Sequence, residues 1–186
     1  MKTLIINNGS KHISDLRELF IDAHEIIELS QIPSVDISSF DLIILSGSST
    51  LSITNNYHSL WETEIELILT SSKPIIGICF GCELIAHTFG ATLKRLHNKQ
   101  KGIVTILPSK SSDIFNQLGD LKVYEAHRWS IVSLSQELEG LALSSSGIEI
   151  FRHKTRPIYG LQFHPEEFCD KSEGDEILAN IIHKLV

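Results

Sequence analysis

Residues 74–86 constrain the fold of this chain more than any other segment. An apolar run ends in Cys79, Gly81 follows two residues later, and the next apolar positions have helical spacing. A buried run that changes this abruptly into a helical pattern predicts a strand, a tight turn and a helix. The turn places Cys79 at a helix N-terminus, where free backbone N–H groups and the helix dipole favour a thiolate. We therefore interpret Cys79 as a nucleophile.

A second segment supplies a base and an acid. Residues 159–167 read YGLQFHPEE, so that a predicted core strand ends at His164 with Glu166 two residues on. In an extended segment these two side chains point to the same side, and the carboxylate can then orient the imidazole. The sequence thus predicts a triad in which Cys79 attacks, His164 transfers protons and Glu166 holds the imidazole.

Strand and helix patterns alternate along the chain. Strands are predicted at residues 3–7, 24–29, 41–46, 74–78 and 157–163, and helices at residues 13–23, 58–69, 83–89 and 173–185. Shorter strands are predicted in the second half, at residues 102–107, 121–125, 130–134, 141–144 and 147–152. This order predicts an α/β fold, a mostly parallel central sheet flanked by helices with a small antiparallel insertion, in a single domain of residues 1–186. Ligands of such sheets bind at the carboxyl ends of strands, where Ser46, Cys79 and His164 fall.

Composition excludes several classes of function. The 186 residues carry a net charge of −7 without a basic run, which argues against a nucleic-acid partner. The apolar runs are too short to span a membrane, and the N-terminus has the pattern of a buried strand rather than of a signal peptide. Three cysteines, an odd number, favour a reducing cytoplasm over a disulfide framework.

Three motifs resemble those of class I, triad-type glutamine amidotransferases. Residues 77–83 (GICFGCE) resemble the family's G-[IV]-C-x-G-x-Q, residues 162–166 match its Q-F-H-P-E, and residues 45–49 (LSGSS) resemble its LSGGP or LSPGP loop. The motifs occur in the family's order and spacing, and the resemblance covers essentially the whole chain. It is closest to stand-alone glutaminase subunits such as that of GMP synthetase. The resemblance implies a flavodoxin-like fold.

The resemblance also implies an activity and a partner. A member of this family hydrolyses the side-chain amide of glutamine through a cysteine thioester and supplies ammonia to a separate synthetase or synthase chain. It needs no cofactor, and no metal site is expected. By the same resemblance, the backbone N–H groups of Ser48 and Phe80 form the oxyanion hole. The expected substrate-binding residues are Gly47, Glu83, Ala126 and His127.

The chain departs from the family pattern at the nucleophile and in the loop. Glu83 stands where the family has glutamine, Cys82 where it has histidine or methionine, and Ser48-Ser49 replace Gly-Pro. An ionised glutamate only accepts hydrogen bonds and repels the substrate's carboxylate, so we expect weak binding of free glutamine. In the alternative, Glu83 points away and pairs with a cation such as Arg128.

Simpler interpretations remain open for several of these residues. Cysteines in apolar runs are often core residues, which is the favoured role of Cys82, and Cys169 receives no role. Residues 46–50 have the composition of a polar loop, and residues 125–129 have that of a strand-end turn with a packed tryptophan. Other histidines, His12, His58, His97 and His183, show no metal-ligand spacing. The alternative functions are an independent γ-glutamyl amide hydrolase and a weakly active regulatory paralogue; a neighbouring synthetase gene would favour the glutaminase.

Overall fold

The computed structural model describes residues 1–20, 24–53, 58–109, 112–116 and 118–186. Its helices are α1 (Ile13–Glu18), α2 (His58–Thr70), α3 (Phe80–Thr88) and α4 (Gly174–Leu185). Its strands are β1 (Thr3–Asn7), β2 (His24–Glu28), β3 (Leu42–Leu45), β4 (Ile75–Ile78), β5 (Thr92–Thr105), β6 (Leu107–Pro108), β7 (Lys122–Ser133), β8 (Leu138–Leu143), β9 (Ile148–His153) and β10 (Ile158–Leu161). Short 3₁₀ turns occupy Leu29–Ser34, Ile37–Ser39 and Asp113–Phe115.

A mixed sheet dominates the described part of the chain. Its strand order is β2-β1-β3-β4-β10-β9-β8-β6, parallel from β2 to β10 and antiparallel from there to β6. Strands β5 and β7 form a separate antiparallel ribbon. The predicted α/β class, with a mostly parallel sheet and an antiparallel insertion, is confirmed. Because β3, β4 and β10 are parallel neighbours, the segments that follow them meet at one edge of the sheet.

Apolar layers cover both faces of the sheet. Along β3, Ile43 and Leu45 face one core cluster, whereas Leu42 and Ile44 face the other, as the two-residue period of a strand requires. Helices α2 and α3 pack in the first cluster through residues such as Trp61 and Leu84. Helix α4 packs in the second cluster, together with Leu16 of α1. Burial on both faces explains why the central strands read as uninterrupted apolar runs.

The structure corrects several predicted boundaries. The predicted strands 121–125 and 130–134 are one strand, β7, and β5 begins ten residues before the predicted strand 102–107. Strand β5 has no buried residue and both ends of β7 are exposed, so that hydrophobicity does not mark the ends of this ribbon. Helix α3 begins at Phe80 instead of residue 83, and α1 ends at Glu18. Residues 21–23 of the predicted first helix lie outside the described residues. In the part of the chain that the structure describes, no helix is long and apolar enough to cross a membrane.

Candidate active site

The turn between β4 and α3 carries Cys79 in an unusual backbone conformation. Its φ is 50° and its ψ is −104°, a conformation that non-glycine residues adopt only when the surrounding structure enforces it. Two glycines allow the backbone of this turn to pack closely against its neighbours. A Cβ atom at Gly77 would lie 2.5 Å from the Gly81 backbone, and one at Gly81 would lie 2.3 Å from the Leu45 carbonyl oxygen. Close contact of α3 with β3 and β4 therefore accounts for the spacing G-x-C-x-G.

His164 and Glu166 lie beside this turn. The Cys79 N–H donates to the Leu161 carbonyl at 2.8 Å, which joins the turn to the end of β10. His164 Nδ1 donates to Glu166 Oε1 at 2.9 Å. A Cβ atom placed on Gly47 would lie 3.5 Å from the Cys79 Cβ and 3.1 Å from the His164 Cε1. The structure thus brings Cys79, His164 and Glu166 together under the loop after β3, and all three are buried.

The electrostatics at this point favour a charged imidazole. Burial is the largest influence on the His164 pKa and lowers it. The charges and hydrogen bonds of Cys79 and Glu166 act in the opposite direction and together raise the pKa well above its ordinary value. A thiolate beside an imidazolium is the arrangement that activates a cysteine for attack.

A pocket of about 690 Å³ opens over Cys79 and His164. Ser48 and Phe80 form part of its wall, and no described residue accepts a hydrogen bond from either backbone N–H group. The Ser48 hydroxyl is turned onto its own loop, where it accepts the Leu51 N–H at 2.7 Å. The two N–H groups predicted to form an oxyanion hole are therefore without a partner among the described residues, and both residues line the pocket beside Cys79.

The structure corrects the expectation that Glu83 is ionised. Glu83 lies one turn along α3 from Cys79, lines the pocket, and is only 4% exposed. Burial raises its pKa to about 8, against the opposing effects of the Gln162 hydrogen bond and of His164, so that the carboxyl is protonated at neutral pH. Its partner is the Gln162 amide, whose Nε2 donates to Glu83 Oε1 at 3.1 Å, and not Arg128. The expected ionised glutamate is thus a neutral acid, which can donate as well as accept.

Ala126 and His127 also line the pocket, on the ribbon strand β7. His127 Nδ1 donates to the Trp129 carbonyl at 2.6 Å, and its Nε2 lies 3.3 Å from Glu125 Oε2. Burial and the charge of Glu125 raise the pKa of the neighbouring Glu149 to about 9. The ligand atoms of Glu125, His127 and Glu149 lie within 4.8 Å of one another, a geometry that could hold a metal. A protonated Glu149 supplies a hydrogen to Glu125, however, so the carboxyls can lie together without a cation.

A basic rim surrounds the pocket, and the sequence interpretation did not identify it. Lys11, Arg95, Lys99 and Arg128 line the opening, and no described carboxylate lies within ion-pairing distance of any of them. They come from three separate segments of the sequence, with Lys11 and Arg128 far from the segment of residues 94–101 that carries Arg95 and Lys99. They place positive charge at the mouth of a site in a chain whose net charge is −7.

Comparisons with known proteins identify the family to which the chain is similar. The sequence profile of the family "Glutamine amidotransferase class-I" matches residues 4–185. A GMP synthase (glutamine-hydrolyzing) subunit of Pyrococcus abyssi is 31% identical over 183 residues, which is 95% of each chain. The crystal structure of a putative GMP synthase subunit from Thermoplasma acidophilum has a TM-score of 0.82 and 29% identity, covering 98% of this chain and 92% of that one.

A more distant structure supports the fold alone. The crystal structure of a glutamine amidotransferase from Thermotoga maritima has a TM-score of 0.78 at 16% identity, and the match covers 100% of this chain and 97% of that one. The matched profile extends from the first strand to the last helix and includes the turn at Cys79 and the segment of His164 and Glu166. The chain therefore belongs to the class I glutamine amidotransferase family.

Proposed function

We propose that this chain is a glutaminase that releases ammonia from the side chain of glutamine and supplies it to a separate synthetase chain. The observation that carries the proposal is the approach of Cys79, His164 and Glu166 under the loop after β3, at the bottom of an open pocket. Family membership and the names of the relatives agree with it. In this proposal residues 1–186 work as one amidotransferase domain.

The chemistry divides into two half-reactions. The Cys79 thiolate attacks the amide carbon, and the C=O electron pair moves onto oxygen. When the oxyanion collapses, the C–N bond breaks and His164 gives its proton to the nitrogen, which leaves as ammonia. His164 then takes a proton from water, whose oxygen attacks the thioester and releases glutamate and the thiolate. Glu166 keeps Nδ1 protonated and the ring oriented throughout.

The surrounding groups have supporting roles in this scheme. The free N–H groups of Ser48 and Phe80 stabilise the oxyanion, and each such donor is typically worth about 2.7–4 kcal/mol. Gly47 leaves room between thiol and imidazole, because a Cβ atom there would press on the His164 ring. Ala126 and His127 offer pocket-lining positions for the amino-acid end of the substrate.

The ammonia acceptor is a different chain in this proposal. The relatives are named as glutamine-hydrolysing subunits of GMP synthase, so the GMP-forming chain of the same organism is the first partner to test. We place the protein in the cytoplasm, because its nucleophile must stay reduced. All three of its cysteines are free, which is consistent with that placement.

A cysteine series tests the nucleophile. Ammonia and glutamate released from glutamine are measured for the wild type and for Cys79→Ser, Cys82→Ser and Cys169→Ser. Cys79→Ser should abolish release, whereas Cys169→Ser should retain most of it because that thiol lies outside the pocket lining. Cys82→Ser is the closer control, since Cys82 is buried in α3, three residues after Cys79, and it should also retain most of the release. Release that persists in Cys79→Ser, or no release from the wild type with or without the partner, would refute the proposal.

A further inference from the structure

A chain of buried hydrogen bonds leads from helix α2 to the loop that carries Ser48. Glu64 of α2 accepts a hydrogen bond from Asn8 Nδ2 at 2.9 Å. The Asn8 backbone N–H donates to the Ser46 hydroxyl at 2.9 Å, and that hydroxyl donates to the Gly47 carbonyl, also at 2.9 Å. Glu64 and Ser46 have no exposed surface, and Asn8 is 3% exposed. The network therefore lies entirely inside the protein, where hydrogen bonds are strong and their loss is costly.

The last hydrogen bond of this network, from the Ser46 hydroxyl to the Gly47 carbonyl, holds a peptide unit of the candidate site. The Gly47 carbonyl and the Ser48 N–H belong to one planar trans peptide, so they point in opposite directions. When the Ser46 hydroxyl holds the Gly47 carbonyl, the Ser48 N–H is directed to the other side. That N–H group has no partner among the described residues, and Ser48 lines the pocket beside Cys79. Rotation of this one peptide would replace an N–H donor by a carbonyl oxygen.

Two further contacts make the Ser46 position rigid. The Ser46 carbonyl accepts hydrogen bonds from the Gly81 N–H of α3 at 3.2 Å and from Asn8 Nδ2 at 3.4 Å. The Ser49 N–H donates to the Gly9 carbonyl at 3.0 Å. The peptide that presents Ser48 is thus connected to the ends of β1 and β3, to the helix after the nucleophile and to α2.

We propose that Glu64 and Asn8 are positioning residues which, through the Ser46 hydroxyl, hold the Gly47–Ser48 peptide with its N–H toward the developing oxyanion. This inference rests on the proposed glutaminase function and deepens it. None of the three side chains touches the substrate; they act through the peptide. A merely structural network would support the fold, and its loss would reduce activity only as far as it reduced the folded fraction.

Paired substitutions separate these possibilities. Glu64→Gln keeps an oxygen that accepts from Asn8 Nδ2, whereas Glu64→Leu removes it. Ser46→Ala removes the hydroxyl that holds the Gly47 carbonyl. Ser109→Ala is the matched control, because the Ser109 hydroxyl donates to the Gly140 carbonyl at the same 2.9 Å but lies away from the pocket.

Steady-state hydrolysis of glutamine gives the first measurement. Ser46→Ala and Glu64→Leu should lower kcat roughly 10-fold to 100-fold while KM changes less than about threefold, because the lost stabilisation belongs to the transition state. Glu64→Gln and Ser109→Ala should stay within about twofold of the wild type. Alkylation of Cys79 by iodoacetamide forms no oxyanion, so its rate should be unchanged in all four variants. A kcat within twofold of the wild type in both Ser46→Ala and Glu64→Leu would overturn the proposal, as would a parallel loss of alkylation.

A second measurement does not depend on activity. The amide ¹⁵N and ¹H shifts of Ser48 should move in Ser46→Ala and Glu64→Leu and stay in place in Glu64→Gln and Ser109→Ala. If Ser46→Ala does not fold, the Ser48 amide shifts are compared between Glu64→Leu and Glu64→Gln alone. A Ser48 amide that is insensitive to both Glu64 substitutions would refute the network even in a protein that failed to hydrolyse glutamine. Conversely, an inactive wild type would refute only the proposed function.

Discussion

Replacing Glu83 by glutamine should change how stability depends on pH. Burial raises the Glu83 pKa from its ordinary 4.5 to about 8. Between these values the folded protein holds a proton that the unfolded chain releases, so the wild type loses stability as pH rises. At about 1.4 kcal/mol per pH unit for one proton, the loss from pH 5.5 to 7.5 is about 2–3 kcal/mol. A glutamine keeps an acceptor for Gln162 but does not titrate, so the variant avoids this loss.

Urea unfolding at pH 5.5, 6.5 and 7.5 measures the effect directly. The stability of Glu83→Gln relative to the wild type should increase by about 2–3 kcal/mol across this range. Titration of other buried acids, such as Glu64 and Glu149, is common to both proteins and cancels in the difference. The control is Glu62→Gln, an exposed glutamate of α2, for which the difference should stay flat.

The same variant tests the role of Glu83 in the pocket. At pH 6.5 the carboxyl is protonated and resembles an amide as a donor and acceptor, so Glu83→Gln should change the KM for glutamine less than about threefold. Above pH 8 the wild-type KM should rise relative to that of the variant, because an ionised Glu83 repels the substrate's carboxylate.

The stability measurement can refute the reasoning. If the difference in unfolding free energy between Glu83→Gln and the wild type is independent of pH, or shrinks as pH rises, Glu83 is not a neutral buried acid.

Three further results are expected. His164→Ala should lower kcat for ammonia release roughly 10³-fold, and Glu166→Gln should lower it less because the carboxylate orients rather than transfers protons; full activity in either would remove that residue from the mechanism. Gly81→Ala should destabilise the protein by about 3 kcal/mol or more in urea unfolding, because its Cβ would meet the Leu45 carbonyl at 2.3 Å, whereas Gly119→Ala meets no atom within 3.4 Å and serves as the control. Ammonia release should rise when the synthetase chain is added, and equal turnover with and without it would exclude activation by the partner.

Local patterns were sufficient for the framework of the fold and for the position of Cys79 on the turn before α3. The central strands are buried on both faces, so uninterrupted apolar runs marked them, and the spacing G-x-C-x-G marked the turn at Cys79. The two-residue interval from His164 to Glu166 also placed these side chains together, as the 2.9 Å contact between them shows. These features depend on residues that are close in the sequence, so the sequence alone is sufficient to predict them.

The ribbon of β5 and β7 was only partly predictable. Strand β5 has no buried residue, both ends of β7 are exposed, and the pairing shifts register between Arg95 and Gln100. Neither hydrophobic alternation nor turn residues therefore mark the ends of these strands. The basic rim, to which this ribbon contributes Arg95, Lys99 and Arg128, could not be predicted from the sequence for a related reason. Its members come together only when separate segments fold around one opening.

The sequence by itself determined the order of the elements, the likeness to the amidotransferase family and the identity of the candidate triad. Tertiary structure alone decided the ionisation of Glu83 and the hydrogen-bond partners of the loop after β3. Glu83 is neutral because residues distant in the chain remove it from water and leave it the Gln162 amide, 79 positions away, as its partner. The Gly47 carbonyl is hydrogen-bonded to the Ser46 hydroxyl, which accepts from Asn8, 38 positions away, and Asn8 in turn donates to Glu64, 56 positions from it. Desolvation and long-range hydrogen bonds exist only in the folded chain, so no local pattern encodes them.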